Sequence, residues 1–112
     1  MNIEKWTAKM QEAIQKAITM ASEMGHQVVD VEHFLLALLE DNAGILYRVL
    51  SKANVNIADL QNKLNVRLQG KPIVSNVDIN SIRISYDLNQ LLSLADKQMH
   101  NFKDEFANLC KL

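Results

Sequence analysis

The chain has 112 residues, with 12 Lys or Arg against 13 Asp or Glu and a single Cys, so that its net charge at pH 7 is −1. This length allows one domain, the near-neutral charge argues against nucleic acid as the main partner, and one cysteine excludes an internal disulfide. Because no apolar run approaches the ~20 residues of a membrane span and the N-terminus lacks a signal peptide's apolar core, we expect a cytoplasmic helical domain without membrane contact.

The first predicted helix begins after Thr7 and ends near Met24. Thr7 is a suitable N-cap, because its hydroxyl can accept a hydrogen bond from a free N–H group of the first turn. Gly25 follows the last apolar residue, where a left-handed C-cap is expected. One apolar stripe with helical spacing runs along this helix and consists of Met10, Ala13, Ile14, Ala17, Met20, Ala21 and Met24.

The most apolar run of the chain, residues 30–39, predicts a second helix around which the others pack. Asp30 can cap this helix, and Glu32 lies in its first turn, where the helix dipole favours a carboxylate. Because Leu36 and Ala37 leave little of the opposite face polar, we expect burial nearly all round. The predicted apolar face consists of Val31, Phe34, Leu35, Leu38 and Leu39.

Two more helices follow the central one. The third has as its apolar positions Ile45, Leu46, Val49 and Leu50. The fourth begins after Asn56, which with Asp59 resembles a capping arrangement. Its narrow apolar stripe consists of Ile57, Leu60, Leu64 and Leu68.

Residues 71–84 show no helical period. Their apolar residues alternate with polar ones, which predicts an extended segment laid on the core, and these residues are Val77, Ile79, Ile82 and Ile84. Ser85 then caps a fifth predicted helix. The apolar stripe of that helix consists of Leu88, Leu91, Leu92, Ala95, Met99 and Phe102.

The fifth helix repeats the first after a shift of 78 positions, which places Thr7 on Ser85 and Met24 on Phe102. Because the cap and the stripe both survive this shift, we predict an internal repeat. The predicted organisation is a single domain, residues 1–112, with a first repeat of about 4–69, a linker of 70–84 and a partial second repeat of 85–112.

These residues resemble the N-terminal Clp-repeat domain of the Clp ATPases. That family has a Thr-capped helix, then Gly-His, then a Glu-His-Leu-Leu-Leu-Ala-Leu helix, matched here by Thr7, Gly25-His26 and residues 32–38. The link at residues 68–72 and the segment 85–89 are most similar to the disaggregase branch. The resemblance reaches about residue 106 and fails where a second Glu-His helix should follow, in the segment Leu109-Cys110-Lys111-Leu112.

The resemblance implies an all-α bundle of short helices with two pseudo-repeated units, the second of them incomplete. It also implies a non-catalytic domain that binds exposed hydrophobic segments of unfolded or aggregated proteins on behalf of a hexameric, ATP-driven disaggregase. The alternative is a docking domain for adaptor proteins or tagged substrates, as in the protease-linked branches of the family. A DNA-binding helix-turn-helix is disfavoured, because the predicted helices show mixed charge throughout.

The sequence contains few residues that could carry chemistry. There is no Gly-rich phosphate loop with Lys and Ser or Thr, so we expect neither ATP hydrolysis nor a cofactor in this domain. His26, His33 and His100 lack metal-ligand spacing, and we expect His33 to be a satisfied histidine at a helix terminus. Cys110 has no base or oxyanion donor marked around it, so no catalytic residue is assigned.

Three polar residues and two apolar stripes are the candidate protein-binding positions. The resemblance places Thr7, Glu32 and Asp104 near a substrate-engaging surface. Thr7 and Glu32 also have structural interpretations, as an N-cap and as a first-turn acid. An apolar groove would be formed by those parts of the stripes that the core leaves uncovered, and its candidates are Met10, Ile14, Leu88, Leu91 and Leu92.

The incomplete second repeat leads to a further expectation. In the first repeat, the stripe of Met10 and Ile14 should be covered by the helix that contains Phe34 and Leu38. The sequence contains no equivalent cover for the fifth helix. Because monomers rarely tolerate a large exposed apolar patch, we expect self-association through residues 88–106.

Overall fold

A computed structural model of the chain describes residues 8–94, which form five short α-helices and one pair of two-residue strands. The all-α prediction is confirmed, with the strand pair as a small addition. No helix in this range is both long and apolar enough to cross a membrane. The elements are α1 Ala8–Glu23, β1 Val28–Val29, α2 Val31–Leu39, α3 Ile45–Lys52, α4 Ile57–Gln69, a 3₁₀ turn Ile79–Ser81, β2 Arg83–Ile84 and α5, which includes residues 86–94.

Helix α2 lies at the centre of the described structure and separates two hydrophobic cores. Its Phe34 and Ala37 enter the first core, together with α1 and α5, whereas Leu36 and Leu39 enter the second, together with α4. The first core consists of Ala13, Ile14, Ala17, Ala21, Val29, Phe34, Ala37, Leu88 and Leu92. The second core consists of Leu36, Leu39, Ile57, Leu64 and Leu68.

The predicted central position of α2 is confirmed, but its predicted apolar face is only partly correct. Leu36 and Ala37 on the opposite face are buried, in agreement with the expected burial nearly all round, whereas Leu35 and Leu38 are only half-buried. Helices pack against α2 from two sides, so a single stripe does not describe its burial.

Several predicted helix ends are confirmed by their hydrogen bonds. The backbone φ of Gly25 is +78°, and the N–H groups of Gly25 and His26 donate to the carbonyls of Ser22 and Ala21, which is a Schellman C-cap. The Asn56 side chain accepts from the Asp59 N–H group at 3.1 Å. The Ser85 hydroxyl accepts from the Leu88 N–H group at 3.1 Å, so Ser85 caps α5 as predicted. Thr7 lies outside the described residues.

The predicted apolar positions of α3 are half wrong. Leu46 and Leu50 pack against the second core as expected, but Ile45 is 80% exposed and Val49 is 55% exposed. Tyr47 packs against the core in their place. An eight-residue helix presents only one face to the interior, and here Leu46, Tyr47 and Leu50 form it.

The segment before α5 is extended only at its end. Strand β2 pairs in parallel with β1, in a register that places Arg83 opposite Val28 and Ile84 opposite Val29. Ile82 and Ile84 pack against the first core, as the alternation predicted. Ile79 is instead half-exposed in the 3₁₀ turn, because Asp78 caps that turn through the Asn80 N–H group.

Helix α5 packs its first turns onto the same core as α1. Leu88 and Leu92 are each 1% exposed there, beside Ile14. The expectation that the α1 stripe is covered by the helix of Phe34 and Leu38 is also confirmed. The later residues of the α5 stripe, from Ala95 onward, lie outside the described residues, as do Asp104 and Cys110.

Candidate functional site

One concave surface of the described residues is a groove between α1, the end of α2 and the start of α3. Its volume is about 590 Å³. The end of α2 turns into α3 through residues 41–44, and three residues of this turn, Asp41, Ala43 and Gly44, line the groove. We call it the α1–α3 groove, and it is lined by Lys9, Glu12, Ala13, Lys16, Ala37, Leu38, Glu40, Asp41, Ala43, Gly44, Ile45 and Leu46.

The α1–α3 groove has an apolar floor and a charged rim. Alanine and leucine side chains from α1 and α2 form the floor, and the exposed Ile45 side chain stands at the α3 edge. The rim cations lie beside carboxylates: the Lys9 ammonium is 3.8 Å from Asp41, and the Lys16 ammonium is 3.8 Å from Glu40. The rim is therefore close to electrically balanced, which suits contact with apolar segments of varied sequence.

The groove does not consist of the residues predicted from the apolar stripes. Ile14, Leu88 and Leu92 are buried in the first core, so in this structure they cannot contact a client. Met10 is half-buried and Leu91 is 38% exposed, but neither lines the α1–α3 groove. The stripes predicted core residues because an apolar helix face is usually the one that the fold covers.

The groove residues that the sequence analysis missed are Leu38, Ile45 and Leu46. The only signal for them was an apolar composition around α3 that exceeds what one buried face requires. That signal indicates that some apolar side chains stay exposed, but it does not indicate which neighbouring helix lies beside them.

A second cluster of polar side chains surrounds the start of α2. The Asp30 carboxylate accepts hydrogen bonds from the Val31 N–H group, the Ser85 hydroxyl and the Lys71 ammonium, each at 2.8 Å. Burial by itself would raise the pKa of Asp30, but the hydrogen bonds from Lys71, Val31 and Ser85 outweigh it and lower the pKa to about 2. Asp30 is thus an ionised cap that joins α2, the linker and α5.

Glu32 belongs to the same cluster. It lies in the first turn of α2 as predicted, but its side chain is only 15% exposed. One carboxylate oxygen is 3.5 Å from the Arg67 Nε atom, and the other is 3.7 Å from the Lys71 ammonium. Glu32 is therefore paired with cations of this chain, and a contact with clients stays a prediction, as it does for Thr7 and Asp104, which lie outside the described residues.

His26 and His33 form a buried pair beside this cluster. The Asp30 N–H group donates to Nδ1 of His33 at 2.9 Å, so the proton of a neutral His33 is on Nε2, 2.9 Å from Nδ1 of His26. Burial first, and then the nearby His26, lower the pKa of His33 to about 4. His33 completes a capping box with Asp30, so it is a satisfied histidine at a helix terminus, as expected.

The described residues offer little to a metal ion. Within residues 8–94, no group of three His, Cys, Asp or Glu side chains is placed to share one. The hydrogen bonds of His33 are used on both ring nitrogens by protein partners.

Comparison with known proteins identifies relatives of the whole domain. Residues 5–109 match the family described as the Clp repeat (R) N-terminal domain. The chain is 34% identical over 111 residues to the chaperone protein ClpB of Bacillus cereus, a match that covers 97% of this chain and 13% of that protein. It is 33% identical over 108 residues to the chaperone protein ClpB 1 of Synechococcus elongatus, covering 96% of this chain and 12% of that protein.

A solved structure supports the same fold. The N-terminal domain of the ClpV1 ATPase of the E. coli EAEC Sci1 T6SS superposes with a TM-score of 0.70 at 23% identity, covering 80% of this chain and 53% of that one. This chain spans about one eighth of the length of the two curated relatives.

Proposed function

The chain belongs to the Clp repeat N-terminal domain family, and from that premise we propose that it is the non-catalytic client-recognition domain of a ClpB-like disaggregase. Its clients would be the exposed hydrophobic segments of unfolded or aggregated proteins. The energy for disaggregation would come from ATPase modules of a cytoplasmic, hexameric parent. This domain would deliver clients to those modules.

The observation that carries this proposal is the α1–α3 groove. Its lining offers apolar side chains, among them Leu38 and Leu46, to a client segment. Burying one large aliphatic side chain contributes roughly 1.5–3 kcal/mol, so a client that inserts two of them gains roughly 3–6 kcal/mol before association costs. Association costs reduce that gain, so the binding would be millimolar or weaker, which allows a client to be released to the next module.

The paired charges of the rim support promiscuity. Because Lys9 and Lys16 lie beside carboxylates of this chain, an apolar client need not supply charges to neutralise them. Shape and apolar area would then decide which side chains enter the groove itself. A docking site for a folded adaptor is the alternative, and it requires complementarity over a larger surface.

The test uses Ile45, which stands at the edge of the groove and is 80% exposed. Ile45→Ser removes apolar groove surface at little cost to the free energy of unfolding, because the side chain packs on little of the protein. Val66→Ser on α4 is the matched control, since Val66 is 66% exposed and does not line the groove. Binding of a fluorescent, permanently unfolded test protein is measured by anisotropy for the three proteins.

We expect Ile45→Ser to weaken binding roughly 3- to 10-fold, as expected for about 1 kcal/mol of lost apolar contact, and Val66→Ser to leave it unchanged. Equal binding by the unsubstituted chain and Ile45→Ser would refute the groove as the client site. Binding of folded proteins but not of the unfolded one would favour the adaptor alternative.

A further inference from the structure

The outward face of α3 adjoins the α1–α3 groove and carries two aliphatic and two basic side chains. Ile45, Arg48, Val49 and Lys52 recur at positions i, i+3, i+4 and i+7, so they share one side of the helix. We infer that this face binds acidic residues of the client, so that the preferred clients are apolar segments that also carry carboxylates. The inference rests on the proposed client-binding function and specifies its substrate class.

All four side chains of this face are exposed to solvent. The opposite side of α3 is occupied, since Leu46, Tyr47 and Leu50 pack against the second core. The orientation of α3 is therefore fixed by its buried side, and the basic and aliphatic side chains are held outward together. A partner meets them as one surface, without first having to rearrange the helix.

The cations of this face differ from those of the groove rim. Lys9 and Lys16 each lie within 4.0 Å of a carboxylate, whereas neither Arg48 nor Lys52 forms an ion pair with any residue of the described range 8–94. At physiological salt, charges are screened beyond about 8 Å, so a client segment on α3 responds to these two cations rather than to the net charge of the chain.

The face is continuous with the groove through Ile45, which belongs to both. At 1.5 Å per residue, the eight residues of α3 extend the groove by about 12 Å, the length of roughly four residues of an extended client. Apolar side chains of the client would occupy the groove and contact Ile45 and Val49. Carboxylates of the same segment would then lie beside Arg48 and Lys52.

Protein is a better occupant of this face than nucleic acid or lipid. Phosphate polymers are bound by extended basic surfaces, whereas this face carries two cations on a chain whose net charge is −1. An anionic bilayer is likewise attracted by clusters of at least four basic residues. Two cations interleaved with two aliphatic residues instead complement a mixed acidic and apolar peptide.

The experiment compares three 12-residue fluorescent peptides that share the same leucine and valine positions. Their polar positions are filled by Glu, Gln or Lys, and binding to the full chain is measured by anisotropy at low and at physiological salt. Each exposed charge pair changes affinity roughly 1.4- to 5-fold, so two pairs should favour the Glu peptide over the Gln peptide by roughly 2- to 30-fold. We expect this preference to shrink as salt increases.

Charge reversal on α3 provides the direct test. The double variant Arg48→Glu with Lys52→Glu should bind the Lys peptide better than the Glu peptide and should bind the Gln peptide unchanged. The single variants Arg48→Glu and Arg83→Glu alter the net charge equally, and Arg83 is an exposed residue of β2, away from α3. Only Arg48→Glu should reduce the preference for the Glu peptide, and melting curves check that each variant is folded.

Four outcomes would overturn the inference. If the Glu and Gln peptides bind equally to the unsubstituted chain, α3 does not select acidic residues, although the proposed client site stands. If the Glu preference survives the double variant, it comes from another surface. If anionic vesicles bind in place of the Glu peptide, the face serves a membrane, and if none of the three peptides binds, the proposed function fails with it.

Discussion

Replacing Asp30 by Asn tests how the first turn of α2 is joined to the rest of the chain. Asn is close in shape to Asp and can still cap a helix, so the substitution removes mainly the charge. The Asp30 carboxylate is 21% exposed and receives hydrogen bonds from the Val31 N–H group, from Lys71 and from Ser85. Neutralising it weakens a contact between three segments that are distant in the sequence.

The magnitude follows from the pKa of Asp30. Folding lowers that pKa from 3.8 to about 2, because the hydrogen bonds from Lys71, Val31 and Ser85 outweigh the opposing effect of burial. At 1.36 kcal/mol per pKa unit, the ionised carboxylate contributes about 2 kcal/mol to the free energy of unfolding at neutral pH. This contribution is fully present above about pH 4 and is lost as the pH falls through about 2.

We therefore expect Asp30→Asn to lower the free energy of unfolding by about 2 kcal/mol at pH 7, or the melting temperature by roughly 8 °C. The gap between the two proteins should close as the pH falls toward about 2. Urea titrations followed by circular dichroism at several pH values measure it. Asp59→Asn is the control, because Asp59 forms an exposed ion pair with Lys63, and its substitution should cost at most ~1 kcal/mol.

The reasoning would be refuted by a loss below about 0.5 kcal/mol at pH 7. It would also be refuted by a difference between the unsubstituted chain and Asp30→Asn that stays constant from pH 7 to pH 2.5. A constant difference would mean that Asn disturbs the packing of the cap, rather than that the charge of Asp30 stabilises the fold.

Two further predictions concern the interior. Burial and then His26 lower the pKa of His33 to about 4, so protonation opposes folding and stability should fall as the pH drops from about 6.5 toward 4. His33→Gln keeps an acceptor for the Asp30 N–H group. Between pH 7 and pH 5, the urea midpoint of this variant should decline less than that of the unsubstituted chain. An equal decline in the two proteins would contradict this role of His33. Leu39 is 2% exposed in the second core, so Leu39→Ala should cost roughly 2–5 kcal/mol. Leu35→Ala should cost less, because Leu35 is half-buried. Thermal melts in which Leu35→Ala lowers the melting temperature more than Leu39→Ala would show that the core is misplaced.

Helix ends were the part of the fold most accessible from the sequence. Gly25, Asn56 and Ser85 each cap a helix as predicted. These hydrogen bonds join residues at most a few positions apart, so the information for them is local. The α1 stripe was also predicted correctly, because a single apolar stripe on a polar helix allows only one face to be buried.

Where the apolar residues of a helix occupy more than one buried face, the sequence was a poorer guide. In α2 the burial of Leu36 and Ala37 agrees with the expected burial nearly all round, but Leu35 and Leu38 of the predicted apolar face are only half-buried. In α3 the exposed Ile45 was predicted to be an interior position. In such helices the spacing of apolar residues does not predict which face is buried, and the neighbouring elements decide which side chains are covered.

The sequence by itself determined that this chain is a bundle of short capped helices and, through its Gly25-His26 and Glu32-His33 motifs, the family to which it belongs. Its internal repeat and the self-association through residues 88–106 stay predictions. The tertiary structure alone decided that Asp30 meets Lys71 and Ser85, which lie 41 and 55 residues away. It also decided that the α1–α3 groove opens between α1 and α3. A groove and a long-range polar contact are made by segments that only folding brings together, so no local pattern of residues encodes either of them.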